Sequence, residues 1–174
     1  MRELQAESTP LVFEDEARRT PTTRIKKVIA KRGSKPAIRI NLEHKGVFIF
    51  CALGGASCEA FVMLSQKANS DAVKVFLADL AGWVGCRFRL VWDGNGNHVA
   101  SGVKEEAEKL GIELVKMPPY QPKLNPVEEV WRQLNHYLAN RLFFTVEEVT
   151  QAIKEFFEER NYKFNISIAK YFTE

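Results

Sequence analysis

The spacing of apolar and polar positions divides the chain into short strands and amphipathic helices. Apolar runs predict five strands, at residues 11–13, 47–53, 59–64, 88–92 and 112–117, and a stretch at 37–42 also has strand character. Apolar positions three and four residues apart predict four helices, which open near residues 69, 99, 125 and 145. The order β-β-β-α-β-α-β-α-α combines an antiparallel meander with right-handed crossovers. We therefore expect an α/β fold in which a mixed five-stranded sheet carries helices on both faces.

The sharpest boundary lies between residues 118 and 131, where a proline-rich, extended lead turns into a helix. Proline fixes φ and keeps the preceding residue out of the helical region. Asn125 is a good N-cap, and Pro126 suits the first helical position because its missing N–H has no intrahelical partner to lose. The helix carries an apolar stripe of Val127, Val130, Trp131, Leu134 and Leu138. In its first turn, Glu129 is interpreted as favouring the helix dipole, whereas the role of Glu128 depends on its neighbours in space.

Length and composition fit one globular domain of 174 residues, with 45% hydrophobic and 27% charged positions. No apolar run reaches membrane-spanning length and the N-terminus has no hydrophobic signal core, so we predict a cytoplasmic protein. Three cysteines without a Cys-x-x-Cys pair indicate buried free thiols, and with only three scattered histidines they argue against a zinc site. We expect residues 1–9 to be a disordered lead, 10–160 to form the domain and 161–174 to be a tail.

Positive charge is concentrated near the N-terminus. Residues 17–42 contain nine Lys and Arg side chains and no Asp or Glu, although the net charge of the chain is only +3. Two interpretations stay open: this segment contacts a polyanion, or it is a solvated, mobile loop. The candidate phosphate contacts are Arg24, Lys26, Lys27, Lys31, Arg32 and Lys35.

Three carboxylates stand at comparable places in the predicted fold. Asp15 lies at the end of the first strand, Asp93 ends the fourth, and Glu128 opens the helix after the fifth. If the first and fourth strands are neighbours, Asp15 and Asp93 lie side by side, and the proline-rich lead brings Glu128 over the same edge. Converging carboxylates need a cation, and oxygen ligands favour Mg²⁺ or Mn²⁺. Two such ions, about 3.5–4 Å apart, would suit phosphoryl displacement. Glu14 and Glu16 flank the proposed ligand and are interpreted as solvated.

The loop that begins at Asp93 imitates a calcium-binding EF-hand loop in its Asp-x-Asn-x-Asn start. The match fails because the sixth position is His98 and the twelfth is Lys104, where the motif needs Gly and Glu. A hairpin turn also fits poorly, because residues 99–110 follow helical periodicity. A strand–loop–helix junction fits better. His98 either orients a phosphate or a water, or simply starts the helix.

These segments together resemble a known family. The strand with Glu14-Asp15-Glu16, the Asp-x4-His segment at 93–98 and the motif Pro-Pro-Tyr-x-Pro-x-Leu-Asn-Pro-x-Glu-x-x-Trp at 118–131 resemble a DDE transposase of the Tc/mariner superfamily, in its prokaryotic insertion-sequence branch. The 34 residues between Asp93 and Glu128 are typical of that branch. The chain departs from the family pattern at Gly94, where Asn is usual, and at positions 28 and 29, where a Trp is usual.

The resemblance implies a ribonuclease H-like fold with Asp15, Asp93 and Glu128 as the catalytic, metal-binding triad. It implies Mg²⁺-dependent, in-line cleavage of DNA at an element's ends and attack of the freed 3′-hydroxyl on target DNA. Asn95, His98, Tyr120 and Asn125 would support this site. For Tyr120, stacking on a base and packing at the sheet edge stay open, and Trp131 is interpreted as core.

The expected partner is double-stranded DNA on the nucleoid. An N-terminal helix-turn-helix region that recognises element ends was not found in the sequence, so we expect another segment or subunit to supply it, with a homodimer as one option. Two other functions remain open: a different ribonuclease H-like nuclease, acting on RNA hybrids or branched DNA, and a non-catalytic remnant that only binds nucleic acid.

Overall fold

The computed structural model describes residues 9–37, 39–55, 59–93, 101–118 and 124–159. The predicted lead and tail therefore lie almost wholly outside the described residues, as do positions 99 and 100 of the second predicted helix. The described part contains nine elements in the predicted order.

One sheet runs through the middle of the described part, with strand order β3-β2-β1-β4-β5. Its strands are β1 (Leu11–Arg19), β2 (Val47–Gly54), β3 (Ala60–Ser65), β4 (Phe88–Trp92) and β5 (Ile112–Lys116). β1, β2 and β3 form an antiparallel meander, and β4 and β5 lie parallel to β1. This topology confirms the mixed sheet and the adjacency of the first and fourth strands.

The helices begin where their capping residues indicate. They are α1 (Ser70–Val84), α2 (Ser101–Lys109), α3 (Val127–Tyr137) and α4 (Val146–Glu158). Asn69 caps α1 by accepting a hydrogen bond from the backbone N–H of Ala72. Thr145 caps α4 by accepting from Glu148, whose carboxylate in turn accepts from the N–H of Phe144. The predicted capping box therefore forms with one difference: the carboxylate of Glu148 accepts from Phe144, the residue before the N-cap, and not from Thr145 itself.

Each face of the sheet buries its own core. On one face α3 and α4 cover β1 and β2 with Val127, Leu134 and Ile153 among the buried side chains. On the other face α1 and α2 cover the sheet, with Leu77 and Val103 buried. Fully burying such a side chain contributes about 1.5–3 kcal/mol, so the two apolar helix faces fix where α3 lies relative to β1.

Three local predictions were wrong. Residues 37 and 39–42 form no strand. Asn41 is instead held within the loop by hydrogen bonds to Thr23 and to the carbonyl of Phe143, and residue 38 lies outside the described part. β1 continues to Arg19, so Asp15 lies inside a strand and not at its end. Cys51 is buried as expected, but Cys86 is exposed.

Candidate active site

The register of β1 and β4 sets the positions of two carboxylates. The last recorded pair of this parallel ladder is Phe13 with Val91, and Asp15 and Asp93 each stand two residues further along. Because strand side chains alternate between faces, both positions belong to the face that carries Phe13. That face is covered by α3. The two aspartates therefore belong to one face of the sheet, just beyond the last pair of the β1–β4 ladder.

The start of α3 is fixed to β1 by Asn125. Its side-chain amide donates a 2.9 Å hydrogen bond to the backbone carbonyl of Glu14, and its Oδ1 accepts a 3.1 Å bond from the N–H of Val127. The backbone carbonyl of Asn125 also accepts from Glu128. The helix itself begins at Val127, and Pro126 occupies its N-cap position. Asn125 nevertheless performs the predicted capping contact, and it places Glu128 beside the strand that holds Asp15.

The carboxylate of Asp15 has a donor from α3. The indole N–H of Trp131 donates a 2.7 Å hydrogen bond to its Oδ2. The guanidinium carbon of Arg19 lies 5.4 Å from the centre of the Trp131 ring, a cation–π distance. Asp15 and Arg19 are four residues apart on β1 and so share one face.

The electrostatics of Asp15 show that the three carboxylates are neighbours. Burial, together with the negative charges of Glu128 and Asp93, raises the pKa of Asp15 from 3.8 to about 6, although the hydrogen bond from Trp131 acts in the lowering direction. A backbone hydrogen bond at Glu16 also lowers it. The structure thus brings Asp93 and Glu128 close enough to Asp15 for their charges to act on it, and we call these three residues the acidic cluster.

Glu14 lies on the opposite face of β1 from Asp15, and it is fully buried rather than solvated as predicted, with 2% of its surface exposed. Neither of its side-chain oxygens has a hydrogen-bond partner in the described part of the chain. Burial, followed by the charges of Glu16, Asp15 and Asp93, raises the pKa of Glu14 well above its ordinary value. The longer β1 explains the wrong prediction, because a residue inside a central strand cannot reach solvent on a covered face.

Arg19 is a buried cation close to these carboxylates. Burial, helped by the charge of Arg24, lowers its pKa to about 10, while Asp15 and Glu128 act in the opposite direction. The side chain therefore stays positively charged at neutral pH. Its Nη1 donates to the backbone carbonyl of Arg18, and its buried Nε has no partner among the described residues.

Carboxylate oxygens suit Mg²⁺ and Mn²⁺, and the mutual repulsion of Asp15, Asp93 and Glu128 is what a bound cation would relieve. Among the described residues, however, no three His, Cys, Asp or Glu side chains are already arranged to hold a metal ion. The donor types of Asp15, Asp93 and Glu128 nevertheless fit a divalent cation.

The predicted phosphate-contacting residues lie on the exposed loop between β1 and β2, which we call the basic loop. They are Arg24, Lys26, Lys27, Lys31, Arg32 and Lys35. The base of this loop is attached just beyond the end of α3 by Asn140. The backbone N–H of Asn140 donates to the carbonyl of Arg24, and the side-chain oxygen of Asn140 accepts from the N–H of Lys26. Since Arg24 lowers the pKa of Arg19, the basic loop begins close to the acidic cluster.

Asn95, His98 and Tyr120 lie outside the described residues. The sequence did not single out Arg19 or the indole N–H of Trp131 as parts of the site. The period of two along β1 could have placed Arg19 on the face of Asp15. Nothing in the local sequence indicates the bond from Trp131, because the two partners are 116 positions apart.

The family of DDE superfamily endonucleases matches residues 10–150. The chain belongs to this family. The human histone-lysine N-methyltransferase SETMAR is 32% identical over 76 residues, covering 43% of this chain and 11% of that protein. The uncharacterized protein y4pE/y4sA of Sinorhizobium fredii is 32% identical over 105 residues, covering 59% of this chain and 76% of that protein.

Solved structures of the Mos1 transposase have the same fold. A pre-cleavage Mos1 transpososome superposes with a TM-score of 0.73 at 18% identity, covering 92% of this chain and 52% of that chain. The mariner Mos1 paired-end complex with Mg gives 0.73 at 20% identity, covering 92% and 51%. The Mos1 catalytic domain gives 0.63 at 16% identity, covering 91% and 72%. The predicted ribonuclease H-like fold and the DDE family are confirmed, and the prokaryotic insertion-sequence branch stays a prediction.

The chain matches only 11% of SETMAR and about half of the Mos1 chains in these complexes. The part of Mos1 that it matches includes the catalytic domain of that protein. In the ranges that the structure describes, no helix is long and apolar enough to cross a membrane.

Proposed function

We propose that this chain is the metal-dependent DNA cleavage and strand-transfer domain of a transposase. The observation that carries the proposal is the convergence of three carboxylates in a DDE-family fold. Asp15 and Asp93 follow the last β1–β4 pair on one face, Asn125 ties the helix start that carries Glu128 to β1, and the charges of Asp93 and Glu128 act on Asp15. The family supplies the reaction class, and the arrangement of these residues supplies the candidate site.

The carboxylates of Asp15, Asp93 and Glu128 would hold one or two divalent ions. Mg²⁺ or Mn²⁺ would there supply a Lewis acid for in-line displacement at phosphorus. The chain's own contribution is placement. Trp131 fixes one oxygen of Asp15, and Asn125 fixes the start of the helix that carries Glu128. Such fixed groups do not have to be reorganised when charge develops during the reaction.

DNA would approach along the basic loop. Its lysines and arginines are exposed, the base of the loop is held against the end of α3, and the charge of Arg24 at this base acts on Arg19, which in turn interacts with Asp15 and Glu128. Backbone phosphates bound there would give affinity that depends on salt and little on sequence. One of the similar Mos1 structures is a paired-end complex with the left transposon end, which supports DNA as the substrate class.

Recognition of specific element ends would come from an N-terminal helix-turn-helix region or a separate subunit. A homodimer is also proposed, since the basic loop exposes large apolar side chains, among them Ile25, Ile29 and Leu42. Association with the nucleoid would follow from DNA binding.

The test is cleavage of a labelled supercoiled plasmid and a short duplex with Mg²⁺, Mn²⁺ or EDTA. We expect metal-dependent nicking that falls at least about 100-fold in Asp93→Asn and Glu128→Gln, since removing a ligand removes charge stabilisation of the transition state. The matched control is Glu129→Gln. Its carboxylate lies in the same helical turn but pairs with Arg132 and Gln133, so this variant should nick like the wild type.

Two outcomes would redirect the assignment. Faster cleavage of RNA–DNA hybrids or branched DNA, with no joining of ends, would favour another ribonuclease H-like nuclease. A folded wild-type protein that neither cleaves any substrate nor gains thermal stability from Mn²⁺ would contradict catalysis and leave a nucleic-acid-binding remnant.

A further inference from the structure

Trp131 contributes more than apolar volume to its core. Its ring packs among the buried side chains under α3, with only 5% of its surface exposed. Its one polar atom, the indole N–H, is directed out of this core to Oδ2 of Asp15 at 2.7 Å. Because an indole can only donate, this contact requires an acceptor, and a carboxylate is the strongest acceptor available.

Asp15 needs such a restraint. Its carboxylate is partly buried and is repelled by the charges of Glu128 and Asp93, so in the absence of a partner it would be pushed away from them. A donor on Oδ2 opposes this repulsion and restricts rotation of the side chain. A carboxylate offers about four lone-pair sites, so the bonds from Trp131 and from the backbone at Glu16 leave room for a cation.

We propose that Trp131 is a positioning residue, whose indole N–H holds Asp15 in the orientation in which its other oxygen binds the divalent cation. This inference rests on the proposed function, because it assumes that Asp15 is a metal ligand. Helix α3 would then supply two parts of the site: Glu128 as a ligand and, three residues later on the neighbouring helix surface, Trp131 as the residue that orients a ligand from β1.

Arg19 adds a contact to the ring of the same indole. Its guanidinium lies 5.4 Å from the ring centre and is itself held by the carbonyl of Arg18 at 2.9 Å. A cation above the ring attracts its π electrons, which fixes the ring plane and makes the N–H a stronger donor. The order of contacts is therefore Arg19 to Trp131 to Asp15.

The test measures Mn²⁺ binding to the full chain by calorimetry, without DNA. Trp131→Phe removes the N–H but also some ring volume. We therefore add a variant with benzothienylalanine at position 131 alone, in which sulfur replaces the N–H in a ring of nearly the same shape. Partners that orient a metal ligand typically contribute about 10–100-fold to affinity. We expect the dissociation constant for Mn²⁺ to rise by about that factor in both variants.

The control is Leu134→Ala, which opens a cavity one turn along the same helix and in the same core, and which removes no hydrogen-bond donor. It should lose stability but keep the wild-type affinity for Mn²⁺. A loss of affinity in Leu134→Ala equal to that in Trp131→Phe would mean general loosening of the core and would overturn the positioning role.

Two other results separate this inference from the function on which it rests. Unchanged Mn²⁺ affinity in the benzothienylalanine variant would overturn the role of the indole N–H while leaving the metal site intact. A folded wild-type protein that binds no Mn²⁺ at all would instead refute the proposed metal centre, and the inference with it.

Discussion

The side-chain amide of Asn125 and the backbone carbonyl of Glu14 form a buried 2.9 Å hydrogen bond between positions 111 residues apart. The same side chain accepts from the N–H of Val127 at the first turn of α3. One residue therefore both caps the helix and fixes that helix to the central strand. The relative placement of Glu128 and Asp15 depends on this contact.

Replacing Asn125 separates its two roles. In Asn125→Ser the hydroxyl can still cap α3 but is too short to reach Glu14. The orphaned carbonyl should cost about 1–3 kcal/mol in the free energy of unfolding, measured in urea. The matched control is Asn69→Ser, because Asn69 caps α1 through Ala72 and Ser is an equally good cap. Equal stability losses in the two variants would contradict a special role for the contact with Glu14.

Glu14→Leu should stabilise the metal-free protein at neutral pH. The pKa of Glu14 in the folded protein is raised well above 4.5, so above pH 4.5 the unfolded chain releases a proton that the folded chain retains. The wild type therefore loses stability as pH rises from 4.5 towards the folded pKa, and the Leu variant does not. We expect a gain of about 1–3 kcal/mol at pH 7.5 that shrinks towards pH 4.5.

This gain is measured by urea unfolding with EDTA at a series of pH values. Glu105→Leu, at an exposed position on α2, is the control and should show no comparable change with pH. A Glu14→Leu protein that is less stable than the wild type at pH 7.5, with a deficit that grows as pH rises, would show that the ionised Glu14 stabilises the fold.

Metal binding should weaken as pH falls through about 6, where Asp15 takes up a proton. Because the pKa of Asp15 is raised in the folded protein, the free energy of unfolding of the metal-free protein falls as pH rises from 3.8 to about 6. A cation bound to the ionised carboxylate would offset this loss of stability. We expect the rise in Tm caused by Mn²⁺ to be larger at pH 7.5 than at pH 5, and to be small at both in Asp15→Asn. The same rise at both pH values in the wild type would argue against Asp15 as a ligand.

The basic loop should control the salt dependence of DNA binding. For Lys31→Ala with Arg32→Ala, we expect weaker binding to duplex DNA of any sequence. The slope of log K against log salt should become shallower by about 0.9 for each phosphate that the variant no longer neutralises. Fluorescence anisotropy at several salt concentrations measures this. Lys104→Ala with Lys109→Ala, on α2 across the sheet, serves as the control and should keep the wild-type slope.

The sequence by itself determined the elements and the candidate chemistry. Strand β4 begins at Phe88 and ends at Trp92 as predicted, and the apolar stripe of α3 is buried. These features follow from side-chain periodicity, which is a local property of the chain. The carboxylates Asp15, Asp93 and Glu128 and the motif that contains Glu128 also pointed to the family without a structure.

The tertiary structure decided what surrounds those carboxylates. It extended β1 past Asp15, which placed Glu14 in a core, and it brought Trp131 to Asp15. It also decided that residues 39–42 run as a loop instead of a strand. These outcomes depend on strand pairing and on hydrogen bonds between residues more than 100 positions apart. No local pattern encodes them, because they form only when the packed helices bring both partners to the same edge of the sheet.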